Sequence, residues 1–329
     1  MNIFITGGAG YIGSVTNAVL KAQGYDTVVF DNLSLGHAEA VGDTKLIRGD
    51  LCRKEEIDAA ISSDRFDAVI HFAALSLAGE SMEKPYAYYD TNLRAGLNLL
   101  EAVRTHGNMP IIFSSTFAVY GYPEAVPVTE DAPIAPVSVY GSAKRMIEEM
   151  IAWYGRIYGT KSVILRYFNA AGALPDSSLG EDHRRETHII PLALEVAAGI
   201  RESFELYGTD YDTPDGTCIR DYIHVVDLAR AHRKAADYLL GGGESQIINL
   251  GVGRGWSNLE VLDTVEQVTG KKVTRSIGSR RAGDPAKLWA DNAKAQKILG
   301  WEPQYGELST IIETAWKWQQ KKSSVTRKK

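Results

Sequence analysis

The chain has 329 residues, 44% hydrophobic and 23% charged, with a net charge of −5. That is enough for one large or two smaller domains with a packed core, and it lacks the basic excess that nucleic acid or an anionic membrane surface calls for. Two cysteines, Cys52 and Cys218, are too few for a disulfide scaffold or a structural zinc site, and no apolar run reaches the ~18 residues of a membrane span. With no basic-then-apolar leader before the first apolar run, these features predict a cytosolic protein without a metal.

Ile3, Phe4 and Ile5 form a short apolar run, as in a parallel strand buried on both faces. Gly7, Gly10 and Gly13 follow at spacings of three, and Tyr11 to Gln23 reads as a helix. A glycine-rich turn between strand and helix lets a pyrophosphate lie against the backbone at the helix N-terminus, where unpaired N–H groups and the helix dipole favour negative charge. An ordinary glycine-rich turn carries the same letters, but the next segment favours a dinucleotide. Thr27 to Phe30 reads as a second strand and ends in Asp31. A carboxylate there accepts hydrogen bonds from a ribose 2′-OH and repels a 2′-phosphate, which selects NAD over NADP.

Strands are predicted next at Lys45 to Ile47, Ala68 to Ala73, Ile111 to Ser114 and Ser162 to Phe168. Helices are predicted at Lys54 to Ile61, Pro85 to Arg104 and Tyr140 to Tyr158. The alternation predicts an α/β fold of Rossmann type, a doubly wound parallel sheet with helices on both faces. Such sheets bind ligands at the carboxyl ends of their strands, which points to Asp50, Ala73 to Ser76, Ser114 to Thr116, and Asn169. Beyond Asn169 the texture changes. Loops are expected at Leu174 to Thr187 and Asp210 to Thr217, strands at Ile247 to Leu250 and Val273 to Ser276, and helices at Val225 to Leu240, Leu259 to Val268, Asn292 to Leu299 and Leu308 to Gln320. The expected division is a nucleotide-binding domain over 1–169, a smaller mixed α/β lobe over 170–322 and a basic tail over 323–329, with the stretch near 217–252 crossing back to the sheet.

Tyr140-Gly-Ser-Ala-Lys144 opens a helix, and the i, i+4 spacing puts phenol and ammonium on one face. A cation near a phenol favours the phenolate, drawing its pKa from about 10 towards neutrality. The result is a base that takes the proton of an alcohol while hydride leaves its carbon. Alone, such a pair usually decorates a surface. Here Ser114-Ser115-Thr116 ends a predicted sheet strand upstream and delivers a hydroxyl to the same crevice.

These features resemble the extended short-chain dehydrogenase/reductases, and within them the enzymes that invert UDP-hexoses at C4, over nearly the whole chain. The cofactor half of the resemblance rests on Thr6-Gly-Gly-Ala-Gly-Tyr-Ile-Gly-Ser, His71-Phe-Ala-Ala, Phe113-Ser-Ser-Thr and Tyr140-Gly-Ser-Ala-Lys. The sugar-nucleotide half rests on Arg166-Tyr-Phe-Asn-Ala-Ala-Gly, Asp215-Gly-Thr-Cys-Ile-Arg-Asp-Tyr-Ile-His and Arg280-Arg-Ala-Gly-Asp.

The resemblance implies that Tyr140 is the acid/base, Lys144 its electrostatic partner and Thr116 the residue that hydrogen-bonds the sugar 4-OH. It implies NAD contacts at Gly7, Gly10, Tyr11, Ile12, Gly13, Asp31, Asn32, Asp50, Leu51, Phe72, Ala73, Ala74, Asn92, Ser114 and Tyr167. It implies sugar-nucleotide contacts at Ser76, Asn169, His188, Ile189, Tyr207, Arg220, Arg281, Asp284 and Leu288, with the arginines on the diphosphate. The implied activity interconverts UDP-galactose and UDP-glucose through a 4-keto sugar with tightly bound NAD, with weaker activity on UDP-N-acetylhexosamines, in a homodimer paired through the helices at Tyr89 to Arg104 and Tyr140 to Tyr158.

Plainer readings compete. Asn169 suits a turn, Arg220-Asp221 suits a structural ion pair, and His71 and His224 suit satisfied core histidines. Two other functions share the fold. A 4,6-dehydratase needs an Asp-Glu pair after the hydroxyl residue, where this chain has Phe117-Ala118; a non-catalytic NAD sensor usually loses the Tyr/Lys pair, which this chain keeps.

Overall fold

Strand β1 (Asn2–Thr6) is an interior strand of the main sheet, and Ile3, Phe4 and Ile5 in it have no exposed surface. The structure, a computed structural model, describes residues 1–281 and 284–326. Two residues of the Arg280–Asp284 motif, Ala282 and Gly283, and Arg327–Lys329 of the basic tail lie outside the described residues. After β1 come α1 (Tyr11–Ala22), β2 (Asp26–Asp31), β3 (Lys45–Arg48), α2 (Lys54–Ile61), β4 (Ala68–His71), α3 (Ala78–Glu83), α4 (Pro85–Thr105), β5 (Ile111–Ser114), α5 (Val139–Tyr158) and β6 (Ser162–Tyr167). The second half contributes β7 (Asn169–Ala171), α6 (Ile189–Ala197), β8 (Phe204–Tyr207), β9 (Ile219–Arg220), β10 (Tyr222–His224), α7 (Val225–Leu240), β11 (Gln246–Leu250), β12 (Trp256–Ser257), α8 (Asn258–Thr269), β13 (Arg275–Gly278), β14 (Lys287–Leu288), α9 (Ala293–Leu299) and α10 (Leu308–Thr326).

Seven strands form one parallel sheet in the order β11-β6-β5-β4-β1-β2-β3. Both faces are covered, as a parallel sheet requires. Ile3, Ile5 and Val29 pack with Leu20 of α1, Leu228 and Ala235 of α7, and Trp301. Phe4, Val69 and Phe113 pack on the other face with Ile57 of α2, Leu99 and Val103 of α4, and Ile147 and Ile151 of α5. A separate cluster joins Leu194 of α6, Val261 and Val265 of α8, and Ile311 and Ile312 of α10. The sheet's last strand, β11, pairs with β6 after the chain has already contributed β7 to β10.

Most differences from the sequence reading lie at element ends. β4 stops at His71, not Ala73, because the Phe72 and Ala73 N–H groups turn across to the Thr6 carbonyl at 2.9 and 3.2 Å. The strand expected at Val273 to Ser276 runs two residues later, as β13 beside β8. α3 and α6 were not expected: α3 has six residues, and α6 is apolar on most sides and so lacks a helical stripe. α10 continues to Thr326, into the stretch expected to be tail.

Candidate active site

The carboxyl ends of β1, β2, β4, β5 and β6 open into a cavity of about 1870 Å³, whose far wall comes from the second half of the chain. All the residues singled out above as site candidates line it except Asn92 and Ser115. Asn92 is buried on α4 and spends its amide on Leu75, accepting from its N–H at 2.8 Å and donating to its carbonyl at 3.0 Å. It therefore shapes the loop holding Phe72, Ala73, Ala74 and Ser76 from behind.

The glycine loop is tight for identifiable reasons. Gly7 has φ +74°, and a Cβ there would stand 2.5 Å from the Ala73 nitrogen. A Cβ at Gly13 would overlap the Gly7 carbonyl, so only glycine lets α1 start so close to β1. Gly10 caps α1 without a side-chain partner for the first-turn N–H groups of Tyr11, Ile12 and Gly13. Those donors face the cavity, as an anion site needs. The Asp31 carboxylate braces this loop, accepting from Ala9 N at 3.0 Å and Leu33 N at 2.8 Å. Asn32 reaches Asp50 at 3.4 Å, and Asp50 and Leu51 close that side. A glycine cradle that any Cβ would fill, open helix donors and a carboxylate at the end of β2 together fit a dinucleotide.

Across the crevice, Ser138 caps α5 by accepting from Gly141 N at 3.1 Å, and the Tyr140 N–H donates to Ser81 of α3 at 3.1 Å. A Cβ at Gly141 would stand 2.5 Å from the Ala118 carbonyl, so glycine seats α5 against the segment after Thr116. Thr116 and Tyr140 line the same crevice, and the Thr116 hydroxyl accepts from Ala118 N at 3.1 Å. Burial pushes the Tyr140 phenol up to about 12, with the nearby Thr116 hydroxyl working the other way. This corrects the expectation that Lys144 draws it towards neutrality. Lys144 is itself buried; its Nζ donates to the Ser114 carbonyl at 2.7 Å and lies 4.7 Å from the Phe113 ring centroid. Burial pushes Lys144 down to about 7, against the pull of the Glu148 carboxylate. Neither group carries its full charge readily in this apolar setting. Tyr167 hydrogen-bonds Ser114 through their hydroxyls.

Beneath this pair runs a network the sequence reading missed. Glu148 accepts from Arg166 Nε at 2.9 Å and Nη2 at 2.6 Å, and from the Ser115 hydroxyl at 2.6 Å. Arg166 also donates to the Tyr120 hydroxyl at 2.8 Å, which donates to Asn249 of β11 at 2.8 Å. Glu148 lies one helical turn past Lys144, and that i, i+4 spacing was the available signal.

On the far wall, Asn169 donates to the Asp221 carbonyl at 3.0 Å, and β7 pairs with β10. Arg220 does not pair with its neighbour Asp221. It meets Asp284 at 3.5 Å, while Asp221 accepts from Val252 N and Ala290 N, and burial pushes it up to about 7. Arg281 lies 4.0 Å over the Tyr207 ring. Leu288 is buried against the cluster of Phe117, Val119 and Val128 that follows Thr116. His71 and His224 are buried and bonded, to Thr6 at 2.7 Å and Thr314 at 3.0 Å, as core histidines.

His188 precedes Ile189 at the start of α6. Its Nδ1 lies 2.8 Å from both Glu181 and Glu186, and His183 Nδ1 lies 3.2 and 3.4 Å from the same two carboxylates. Burial disfavours charge on both rings, but the carboxylates outweigh it and lift His183 to about 9 and His188 to about 10.

A family model described as GDP-mannose 4,6 dehydratase matches residues 4–314. The chain is 48% identical over 319 residues to the UDP-glucose 4-epimerase of Lacticaseibacillus casei, an alignment covering 97% of this chain and 96% of that protein. The crystal structure of UDP-glucose 4-epimerase from Brucella ovis in complex with NAD superposes with a TM-score of 0.94 at 46% identity, over 96% of this chain and 97% of that one. The epimerase of Bifidobacterium longum in complex with NAD+ and UDP gives 0.93 at 36% identity, over 98% and 99%.

Proposed function

This chain belongs to the UDP-glucose 4-epimerases, and on that premise we propose the roles its own residues take in that activity. The chain is an NAD-dependent isomerase that interconverts UDP-galactose and UDP-glucose. NAD, when bound, would supply reversible hydride transfer at C4 of the sugar. The first-turn N–H groups of α1 would hold its pyrophosphate and Asp31 its adenosine ribose; Asp50 and Leu51 would flank the adenine, and Lys144 would meet the nicotinamide ribose.

Tyr140 takes the proton of the 4-OH and later returns it, and Thr116 aligns that hydroxyl. What supports this most directly is that Thr116, Tyr140 and Lys144 line one crevice together with the glycine loop and the far wall. With the phenol at about 12 in the free site, Tyr140 starts as an acid, and bringing positive charge beside it turns it into a base. Arg220 and Arg281 suit a diphosphate through their forked donors. The keto sugar between them and Tyr140 turns about its diphosphate link and presents its other face. Tight hold on the nucleotide with a loose hold on the hexose is what inversion at C4 requires. Phe117, fully buried, and Ala118 follow Thr116, so the acidic pair that water elimination needs does not stand there.

The deciding assay incubates purified protein with UDP-galactose and no added NAD. UDP-glucose should form; its absence from NAD-loaded protein would sink the reading. We further propose a cytosolic homodimer. Among the described residues no helix is long and apolar enough to cross a membrane. α4 and α5 leave Leu97, Met146, Trp153 and Ile157 exposed, an apolar patch suited to two-fold pairing. A monomer mass by light scattering at micromolar concentration would refute the dimer.

A further inference from the structure

Four side chains beside the cavity, three of them on its wall, bring one donor atom each close together. They come from a single eight-residue stretch, Glu181-x-His183-x-x-Glu186-x-His188, and their nearest ligand atoms all lie within 4.8 Å of one another. We propose that Glu181, His183, Glu186 and His188 form a binding site for one zinc ion that fastens this loop across the nucleotide cavity.

Three observations carry this. The first is geometry. In a tetrahedral zinc site, bonds of about 2.0–2.1 Å put neighbouring ligand atoms ~3.3 Å apart. The four N···O separations between the two histidines and the two glutamates are 2.8, 2.8, 3.2 and 3.4 Å. The second is hydrogen-bond arithmetic. Each imidazole Nδ1 carries at most one N–H, yet each faces two carboxylates, and each carboxylate faces two rings. One central cation satisfies all four groups together. Once the ion displaces their extra protons, two neutral imidazoles and two carboxylates leave two negative charges, which a divalent ion balances. Mixed nitrogen and oxygen donors without thiolate suit zinc among the divalent metals.

The third is that the loop is held from outside. Trp318 donates to the Glu181 carbonyl at 2.8 Å, and His37 meets the Asp182 carbonyl at 3.1 Å. A Cβ at Gly180 would stand 2.5 Å from the Trp318 ring, so glycine admits the close approach. Glu181 is buried, and the other three ligands are half-buried. These are marks of a preformed site and not of a solvated acidic surface. The sequence reading expected no metal because it looked for cysteine; the donors here are imidazole and carboxylate. The ion is structural, since all four positions are filled from the chain and none is open for substrate. Tyr11 of α1 stands edge-on to His183, with ring centroids 6.3 Å apart, so a fastened loop also braces the first turn of the glycine-loop helix.

The test does not depend on epimerase activity. Purified full-length protein is stripped with a chelator, loaded with zinc sulfate, desalted and measured for metal by plasma mass spectrometry, and a parallel sample is loaded with cobalt chloride. Wild type should hold roughly one zinc per chain, and its cobalt form should show the visible absorption of a tetrahedral ion. Asp182→Asn, in the same loop but outside the quartet, should keep both, and the double variant His183→Ala/His188→Ala should lose both. Folding of each variant is checked by circular dichroism. If the double variant does not fold, the wild-type cobalt spectrum and Glu186→Gln decide instead, and Glu186→Gln should weaken zinc retention at least tenfold. Wild type that retains no zinc and gives only the octahedral cobalt spectrum overturns the proposal. So does a folded double variant that holds as much zinc as wild type.

Discussion

Replacing Glu148 by Gln tests whether the buried pair under the crevice supports both the fold and the charge of Lys144. The side chains of Glu148 and Arg166 are 0% and 2% exposed, and the carboxylate takes two guanidinium donors and the Ser115 hydroxyl. Gln keeps the shape but removes the charge and turns an NH2 towards the guanidinium, so Arg166 is left without a counter-charge. Breaking a buried pair from one side costs ~3–5 kcal/mol. With an unfolding entropy of about 2.1 cal/mol/K per residue, a chain of 329 residues has ~0.7 kcal/mol/K, and the loss becomes a fall in Tm of ~4–7 °C. Calorimetry reads this, with both proteins carrying the same NAD and UDP content, since bound ligand raises Tm by itself. Replacing both partners, Glu148→Met with Arg166→Met, should cost less than Glu148→Gln alone. The same change acts on Lys144, which burial holds at about 7 against the pull of Glu148. Without that carboxylate the lysine gives up its proton at lower pH. Charged lysine exists below its pKa, so the pH at which turnover of UDP-galactose falls away on the alkaline side should move down. A Tm within ~1 °C of wild type, or an unmoved alkaline limb, would refute the reasoning.

Tyr140→Phe should reduce turnover by roughly 10²–10⁴-fold and leave UDP-sugar binding near its original strength; near-normal turnover would remove Tyr140 as the acid/base. Denatured protein should release about one NAD or NADH per chain and no NADP. A 2′-phosphate ~4 Å from Asp31 would meet ~4 kcal/mol of repulsion at an intermediate dielectric, and recovery of NADP would falsify that assignment. Leu288 packs beside the segment that follows Thr116, so Leu288→Tyr should narrow the hexose pocket. The activity on UDP-N-acetylgalactosamine relative to UDP-galactose should drop roughly 5- to 150-fold, in keeping with the ~1–3 kcal/mol that pocket walls discriminate. An unchanged ratio would place Leu288 away from the sugar.

The sheet was readable because its strands are runs of apolar residues, several of them closed by glycine, aspartate or serine, and the strand-to-helix rhythm admits few topologies. Gly7, Gly13 and Asp31 could be read for the same reason: each answers a local backbone demand that neighbouring letters reveal. Glu148 and Arg166 were not readable, since a charged residue on a helix is ordinarily solvated, and only the packing of α5 on β6 removes the water. The two-residue strands β9, β12 and β14 carry no periodicity and exist only through one another. Tyr140 shows the opposite failure. Its spacing to Lys144 was correct on one helical face, but spacing says nothing of dielectric, and burial raised the phenol where proximity alone would have lowered it.

The return of the chain to the sheet has a consequence for how such an enzyme can be altered. β11 completes the edge beside β6, and its Asn249 takes the Tyr120 hydroxyl, so residues beyond 240 finish what residues before 170 began. A fragment ending near residue 169 would expose the whole of β6 as an unpaired edge and leave the α1 face without α7, inviting edge-to-edge aggregation. The halves are thus no interchangeable cassettes. New sugar specificity is therefore expected to arrive by point substitution within an uncut chain, and not by splicing one enzyme's substrate half onto another's nucleotide half.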